Sequence, residues 1–378
     1  MSTPARPAAP GTRPHDDPLT VVHVVVSDAF AGVEAHVARL ARAQAAAGHR
    51  VTVVGGAVDR VRDVAGPDVR VLPGGSVRAA AASVARARAG ADVLHAHMTA
   101  AELVAVLTAR AWPARGGPVP VVATRHFAQR RGLSRPGRAV ARVVGPRLAA
   151  QVAISRYVAA AVDGPSVVVL PGVDPVPATA PAGDRERVVL MVQRLEPEKR
   201  TDLGVLAFAA SGLAARGWRL EVAGGGSCRR ALEELVARAG LEGSVHLLGE
   251  RRDVAALMAR AAVLVAPCPA EGLGLSVLEA MSSGLPVTAA AAGGHVETLA
   301  GLDPAALWRP GDPDDGGRTL AALAASPERR DALAVAARDR QRRDHTPAAQ
   351  AAATDAVYRT VVESAARGRA RTARARTA

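Results

Sequence analysis

Leu19-Thr-Val-Val-His-Val-Val-Val-Ser27 is an almost unbroken apolar run of strand length, and together with the helix and strand beyond it decides the fold. A short loop at residues 28–32 leads into helical periodicity from Val33 to Ala47. Gly48 then stands where a helix C-terminus favours glycine, and Val51–Val54 resumes an apolar strand. A strand apolar on both faces, a helix and a second such strand predict a parallel sheet covered on both sides.

The same alternation extends outward. Further strands are expected at Val93–His95, Val119–Thr124, Gln151–Ile154 and Ser166–Leu170. Residues 171–186 change to Pro, Gly and Ala with little periodicity, as an interdomain linker does. Strands then fit Val188–Val192, Arg219–Val222, Val245–Leu248, Val263–Ala266 and Pro286–Ala290. The expected class is α/β: two Rossmann-like, doubly wound domains facing across a cleft, at residues 19–170 and 187–346. Residues 1–18 are expected as a disordered arm and 347–365 as a helix packing back on the N-terminal domain. Residues 366–378 are expected as a basic disordered tail.

The chain of 378 residues is 49% apolar but only 2% aromatic, so its cores must rest on Val, Leu and Ala. Cys228 and Cys268 alone offer neither a disulfide framework nor metal-ligand spacing, which suits a cytoplasmic setting. No apolar run approaches the ~20 residues that span a bilayer. The net charge of +13 is carried by 47 arginines and one lysine, Lys199. Seven arginines and no acid lie from Arg125 to Arg147, interleaved with Val140, Val143, Val144 and Leu148. Such a segment suits either a solvated surface or an anionic membrane face, a peripheral site on the inner leaflet. Nucleic acid is not expected as a partner, since no aromatics interleave the charge.

Chemistry is expected in the strand-to-helix loops. Glu271-Gly-Leu-Gly-Leu-Ser-Val-Leu-Glu279 comes after an apolar strand and opens a helix. Gly274, Leu275 and Ser276 there offer free amides at a helix N-terminus, an anion site. Glu271 can face the cleft, and Glu279 can accept two hydrogen bonds from a vicinal diol such as a ribose. Gln193-Arg-Leu-Glu-Pro-Glu-Lys199 supplies Arg194 as a fork and Lys199 as a point charge, a pair able to clamp a diphosphate. Gly225, within Gly224-Gly-Gly226, permits close approach to a backbone, and Gly32 opens the first helix. His97 and His126 are expected just past their strands, at the cleft. Asp312-Pro-Asp314 has the look of an acidic metal pair but the composition of a turn.

In this order the motifs resemble the retaining glycosyltransferases of family 4, also called group 1, over about residues 19–360. The resemblance rests on Glu271 to Glu279 with Met281-Ser-Ser-Gly-Leu-Pro-Val287, on Arg194 to Lys199, and on Ala31-Gly-Val-Glu34. Asp92-Val-Leu-His-Ala-His97, Leu170-Pro-Gly-Val-Asp174 and Gly293-Gly294 with Glu297 support it. It implies the GT-B architecture and transfer of a hexosyl group, with retention, from GDP-mannose or a UDP-sugar. Arg194 and Lys199 would hold the donor diphosphate, with Gly32 approaching from the other domain. Glu271 would meet the sugar hydroxyls, Glu279 the ribose, His126 the transferred sugar and His97 the acceptor side. The acceptor would be a lipid-linked or cell-envelope glycan or a small molecule, with a base near residues 249–253. Cationic side chains and helix ends would do the work of a divalent ion, so no metal and no cofactor are expected. Gln193, Ala31 and Leu273 depart from the family pattern, two of them where glycine is usual. Nucleotide-sugar epimerases and glycoside phosphorylases share these motifs and are the rival activities. A basic nucleic-acid-binding protein is the rival from another class.

Overall fold

The computed structural model describes residues 17–111, 118–132, 135–177 and 181–377. The first half runs β1 (Thr20–Val25), α1 (Gly32–Ala46), β2 (Arg50–Val54), α2 (Val58–Ala65), β3 (Val69–Leu72), α3 (Val77–Ala87) and β4 (Val93–His97). It continues with α4 (Thr99–Ala111), β5 (Val121–Arg125), α5 (Arg135–Val144), β6 (Ala150–Ala153), α6 (Arg156–Ala161) and β7 (Val167–Val168). The second half runs β8 (Glu186–Val192), α7 (Thr201–Ala210), β9 (Arg219–Ala223), α8 (Arg229–Arg238), β10 (Val245–Gly249), α9 (Val254–Arg260) and β11 (Ala261–Ala266). It closes with α10 (Leu275–Ser282), β12 (Val287–Ala290), α11 (Gly294–Leu299), β13 (Leu307–Trp308), α12 (Pro313–Ala325), α13 (Pro327–Asp344) and α14 (Pro347–Thr377).

Two parallel sheets result, in the order β3-β2-β1-β4-β5-β6-β7 and β10-β9-β8-β11-β12-β13. The α/β class with two doubly wound domains is thus as the sequence predicts. The strand order reverses between β1 and β4 and again between β8 and β11, and the crevice beyond those strand ends is where ligands bind in such sheets. β3 and β13 are strands that the sequence does not announce; they are four and two residues long. Arg70 interrupts β3, and β13 is only Leu307-Trp308 before Arg309.

α14 packs on the first sheet: Tyr358 is fully buried, and Val357 and Val361 join Leu19, Val21 and Val93 in one cluster. The chain crosses itself where it leaves and re-enters the first domain. Gly172 lies so close to Thr346 and Pro347 that an added Cβ would sit 2.3 Å from backbone atoms, and its amide donates to Gln350 Oε1 at 2.8 Å. The basic tail expected to lack structure instead continues α14 as helix to Thr377, in keeping with the strong helix propensity of Ala and Arg. Most of the arm, residues 1–16, lies outside the described residues.

The basic segment is also corrected in part. Arg131 is buried, bonded through Nε and Nη2 to the fully buried carboxylate of Glu102 at 2.5 and 2.8 Å, and to Asp163 at 2.7 Å. Arg125 is buried as well and reaches Asp163 at 3.0 Å. Acids distant in sequence neutralise these two, so a run read along the chain overstates the surface charge. Arg130, Arg138, Arg142 and Arg147 remain exposed.

Candidate functional site between the two sheets

The loop after β8 carries Arg194 and Lys199. Gln193 folds its carboxamide back to donate to Thr201 Oγ1 at 2.9 Å and to the Lys199 carbonyl at 3.1 Å, which closes the loop from inside. Its side chain therefore has a structural role that a glycine cannot fill. Pro197–Lys199 forms a 3-10 turn, after which Arg200 adopts a left-handed φ of 50°. Met98, directly after β4, has a φ of 73°. Non-glycine residues held in this region are strained, and both stand near the cleft ends of their sheets.

Lys199 and Glu271, 72 positions apart, meet at 2.5 Å. Burial pushes the Glu271 carboxyl up, but the Lys199 ammonium outweighs it and holds the group below its ordinary value. Arg194 points outward, half-exposed, and pairs with Glu198 at 2.8 Å. Glu196 accepts from Ser227 Oγ at 2.6 Å. Lys199 pairs with neither Glu196 nor Glu198 of its own loop but turns to Glu271.

Gly274, with φ 93°, is the N-cap of α10, so the amides of Gly274, Leu275 and Ser276 have no partner within the helix. The loop before it is fixed by backbone contact. Gly294 donates to the Glu271 carbonyl at 2.8 Å, and a side chain on Gly293 would lie 2.5 Å from that oxygen. Only glycine fits there. Gly32 begins α1 opposite, where an added Cβ would lie 3.5 Å from Leu275 Cδ1. The two helix N-termini, one from each domain, thus face each other.

Glu279 accepts from Arg39 Nη2 of α1 at 2.5 Å, a contact that sequence reasoning missed. Arg39 stands at helical spacing from Gly32 and His36 on one face of α1, which is the signal that could have found it. Other links between the domains are Ser155 Oγ to the Gly272 carbonyl at 2.7 Å and Glu297 to the amides of Arg156 and Tyr157 at 2.9 and 2.6 Å.

His97 and His126 belong to a larger group. His97 sits in the last position of β4, not past it, and is fully buried. Five histidines, His23, His36, His95, His97 and His126, cluster at the cleft end of the first sheet. All are kept neutral chiefly by burial: His23 is lowered to about 4 and His126, with added repulsion from Arg125, to about 3. A side chain on Gly272 would come 2.6 Å from the His126 carbonyl oxygen, which places this histidine against the Glu271 loop.

Three other expected features have neighbours of their own. Gly224 and Gly226 pack on backbone atoms of Gln193 and Leu195, and Gly225 faces the Glu250 side chain 3.0 Å from an added Cβ. Close packing of this loop therefore requires glycine at 224 and 226. Asp253 is exposed and pairs with Arg251 at 2.6 Å. Asp312 caps α12 by accepting from the Asp315 amide at 3.0 Å, which makes the acidic pair a helix start.

The site therefore consists of opposed helix N-termini, a lysine–carboxylate pair and a histidine cluster at the switch points of two doubly wound domains. Comparison with known proteins agrees. Residues 30–176 match the family described as Glycosyltransferase Family 4, and residues 177–340 match Glycosyl transferases group 1. The chain belongs to this family, and its fold is GT-B. An exopolysaccharide phosphotransferase of Streptomyces coelicolor is 34% identical over 121 residues, covering 30% of this chain and 13% of that protein. The D-inositol 3-phosphate glycosyltransferase of Salinispora arenicola is 33% identical over 307 residues, covering 68% of this chain and 66% of the relative. The match thus spans a small part of the first relative and just under two thirds of the second. Among solved structures, Anabaena HepE in complex with UDP and glucose superposes with a TM-score of 0.73 at 20% identity, covering 88% of this chain and 97% of that one. No helix among the described residues is long and apolar enough to cross a membrane.

Proposed function

We propose that the chain transfers a hexosyl group, with retention and without a metal, from a nucleoside diphosphate sugar to a glycan, lipid-linked or small-molecule acceptor. The observation that carries this reading is the Lys199–Glu271 pair beside the open N-terminus of α10. Negative charge grows on the departing diphosphate during transfer, and a cation with oriented amides stabilises it without reorganisation. Lys199 is the cation already inside the cleft, and Arg194 swings from its half-exposed pair with Glu198 to join it. Glu271 then exchanges the ammonium for sugar hydroxyls. Relatives that act on sugars and a shared fold with a UDP-bound protein support the donor class. The test is thermal shift against UDP- and GDP-sugars, followed by donor turnover in EDTA. Stabilisation by at least one nucleotide sugar, with chelator-resistant turnover, is expected. Turnover abolished by EDTA and restored by magnesium or manganese would overturn the metal-free assignment.

The exposed face of α5 favours a membrane as the place of work. Arg138 and Arg142 of α5 and Arg147, just past its end, are exposed, and Val143 between them is 37% exposed. Each arginine at an anionic surface contributes ~1 kcal/mol. Salt-sensitive flotation with anionic vesicles, lost when these three become glutamine, is expected; equal failure to float on anionic and neutral vesicles would reject it.

A further inference from the structure

The histidine cluster is wired. Gln44 Oε1 lies 2.7 Å from His23 Nε2, His23 Nδ1 lies 3.0 Å from His97 Nε2, and His97 Nδ1 lies 3.1 Å from His126 Nε2. Gln44, His23 and His97 are each wholly buried. The Gln44 amide nitrogen faces Tyr358 Oη at 3.3 Å, and a side branch runs from that hydroxyl to His95 Nδ1 at 2.5 Å and from His95 Nε2 to Thr124 Oγ1 at 2.7 Å.

A carboxamide oxygen only accepts, and a neutral imidazole has one donor and one acceptor. With the Gln44 oxygen fixed on His23, His23 Nε2 must carry the proton, which leaves its Nδ1 bare. His97 Nε2 must then donate to that lone pair, leaving His97 Nδ1 bare in turn. His126 Nε2 must donate to His97, and the bare atom at the end is His126 Nδ1. That nitrogen has no hydrogen-bond partner among the described residues, and the residue, though buried, keeps 8% of its surface exposed. We propose that Gln44 sets, through His23 and His97, the tautomer of His126, so that this ring presents an unprotonated Nδ1 to the cleft as an acceptor for a sugar hydroxyl.

Burial supports the neutral state that the relay needs, because it lowers the basicity of every ring in the chain. Two overlapping trios, His23-His95-His97 and His36-His97-His126, have nitrogens within 4.8 Å of one another, a spacing that a metal can use. Both nitrogens of His95 and of His97 are already engaged in the network, however, so shared protons fill the place of a metal ion. Gln44 touches no substrate and is a positioning residue. Its effect on transfer rests on the proposed sugar transfer in this cleft, whereas its effect on the His126 proton does not.

The experiment is long-range proton–nitrogen NMR of the intact chain labelled on histidine, with the His126 ring assigned by its loss in His126→Gln. In the unmodified protein at pH 7 the His126 proton is expected on Nε2. Gln44→Met removes the acceptor at nearly constant volume and is expected to shift His126 towards a mixture of tautomers. His23→Phe, which cuts the relay, is expected to do the same. Thr124→Val cuts only the His95 branch and is expected to leave His126 unchanged. A parallel kinetic measurement is expected to show kcat reduced about 10-fold in Gln44→Met with KM little altered, the loss of one oriented hydrogen bond. A proton on His126 Nδ1 in the unmodified protein, or an Nε2 proton indifferent to both relay substitutions, would overturn the proposal. Tautomer shifts without a change in kcat would retain the relay and reject the role of His126 in transfer.

Discussion

Lys199 is the single lysine among 48 basic residues, and its ammonium rests on Glu271. Both were legible in the sequence, one from its rarity in an arginine-rich chain and the other from its place after an apolar strand. Their mutual contact was not, because it joins positions on two separate loops. Gly274 shows the backbone side of the same site. Its φ of 93° suits glycine, and an added Cβ would lie 3.3 Å from His295. Gly274→Ala is expected to cost about 1–2 kcal/mol of stability, read as a lowered urea midpoint with an unchanged slope. A midpoint equal to the parent would mean that the N-cap of α10 is less constrained than its geometry implies. Gln44 and His23 left no signal at this scale. A glutamine on a helix and a histidine in a strand acquire meaning only when the sheet sets them beside His97.

At the scale of elements, α1 and α10 meet through Arg39 and Glu279, both largely shielded from solvent. This pair occupies a carboxylate oxygen that the family resemblance assigns to a ribose. Arg39→Gln is expected to free Glu279 and tighten nucleoside diphosphate binding roughly 5-fold, measured by titration calorimetry; weaker binding would show that Arg39 instead orients Glu279 for the ligand. The segment around α5 gives the opposite lesson. Arg131 belongs to a buried cluster with Glu102 and Asp163, and its side chain is 2% exposed. Arg131→Ala leaves the Glu102 carboxylate buried without its cation, and a loss of about 3–5 kcal/mol is expected in chemical denaturation. A loss below about 1 kcal/mol would mean that water enters to replace the guanidinium. Charge counted along a sequence carries no information about which acids fold onto it, so the buried and exposed arginines of this run looked alike.

For the molecule as a whole, the alternation of apolar strands with helices was enough to predict both doubly wound sheets and the cleft between them, because buried parallel strands are apolar on both faces. The edge strands β3 and β13, the helical tail and the side-chain links between the domains depend on tertiary contacts and were not visible. The histidine cluster adds a pH dependence. The unfolded chain binds a proton on His23 near the ordinary value of 6.5, while the folded ring resists until about 4. The stabilisation is present in full above 6.5 and is lost as pH falls towards 4, by about 3 kcal/mol for His23 alone at the lower limit. The melting temperature is therefore expected to fall steadily below pH 6.5, and less steeply in His23→Gln. A flat profile from about pH 7 to 5 would contradict the buried neutral state. The central claim is that the cleft receives a nucleoside diphosphate through Lys199, and calorimetric titration of UDP and GDP, in EDTA, into the parent chain and Lys199→Ala tests it most directly. Binding of at least one of the two to the parent, weakened about 10- to 100-fold by the substitution, is the predicted result; no binding of either, or equal binding to both proteins, would contradict it.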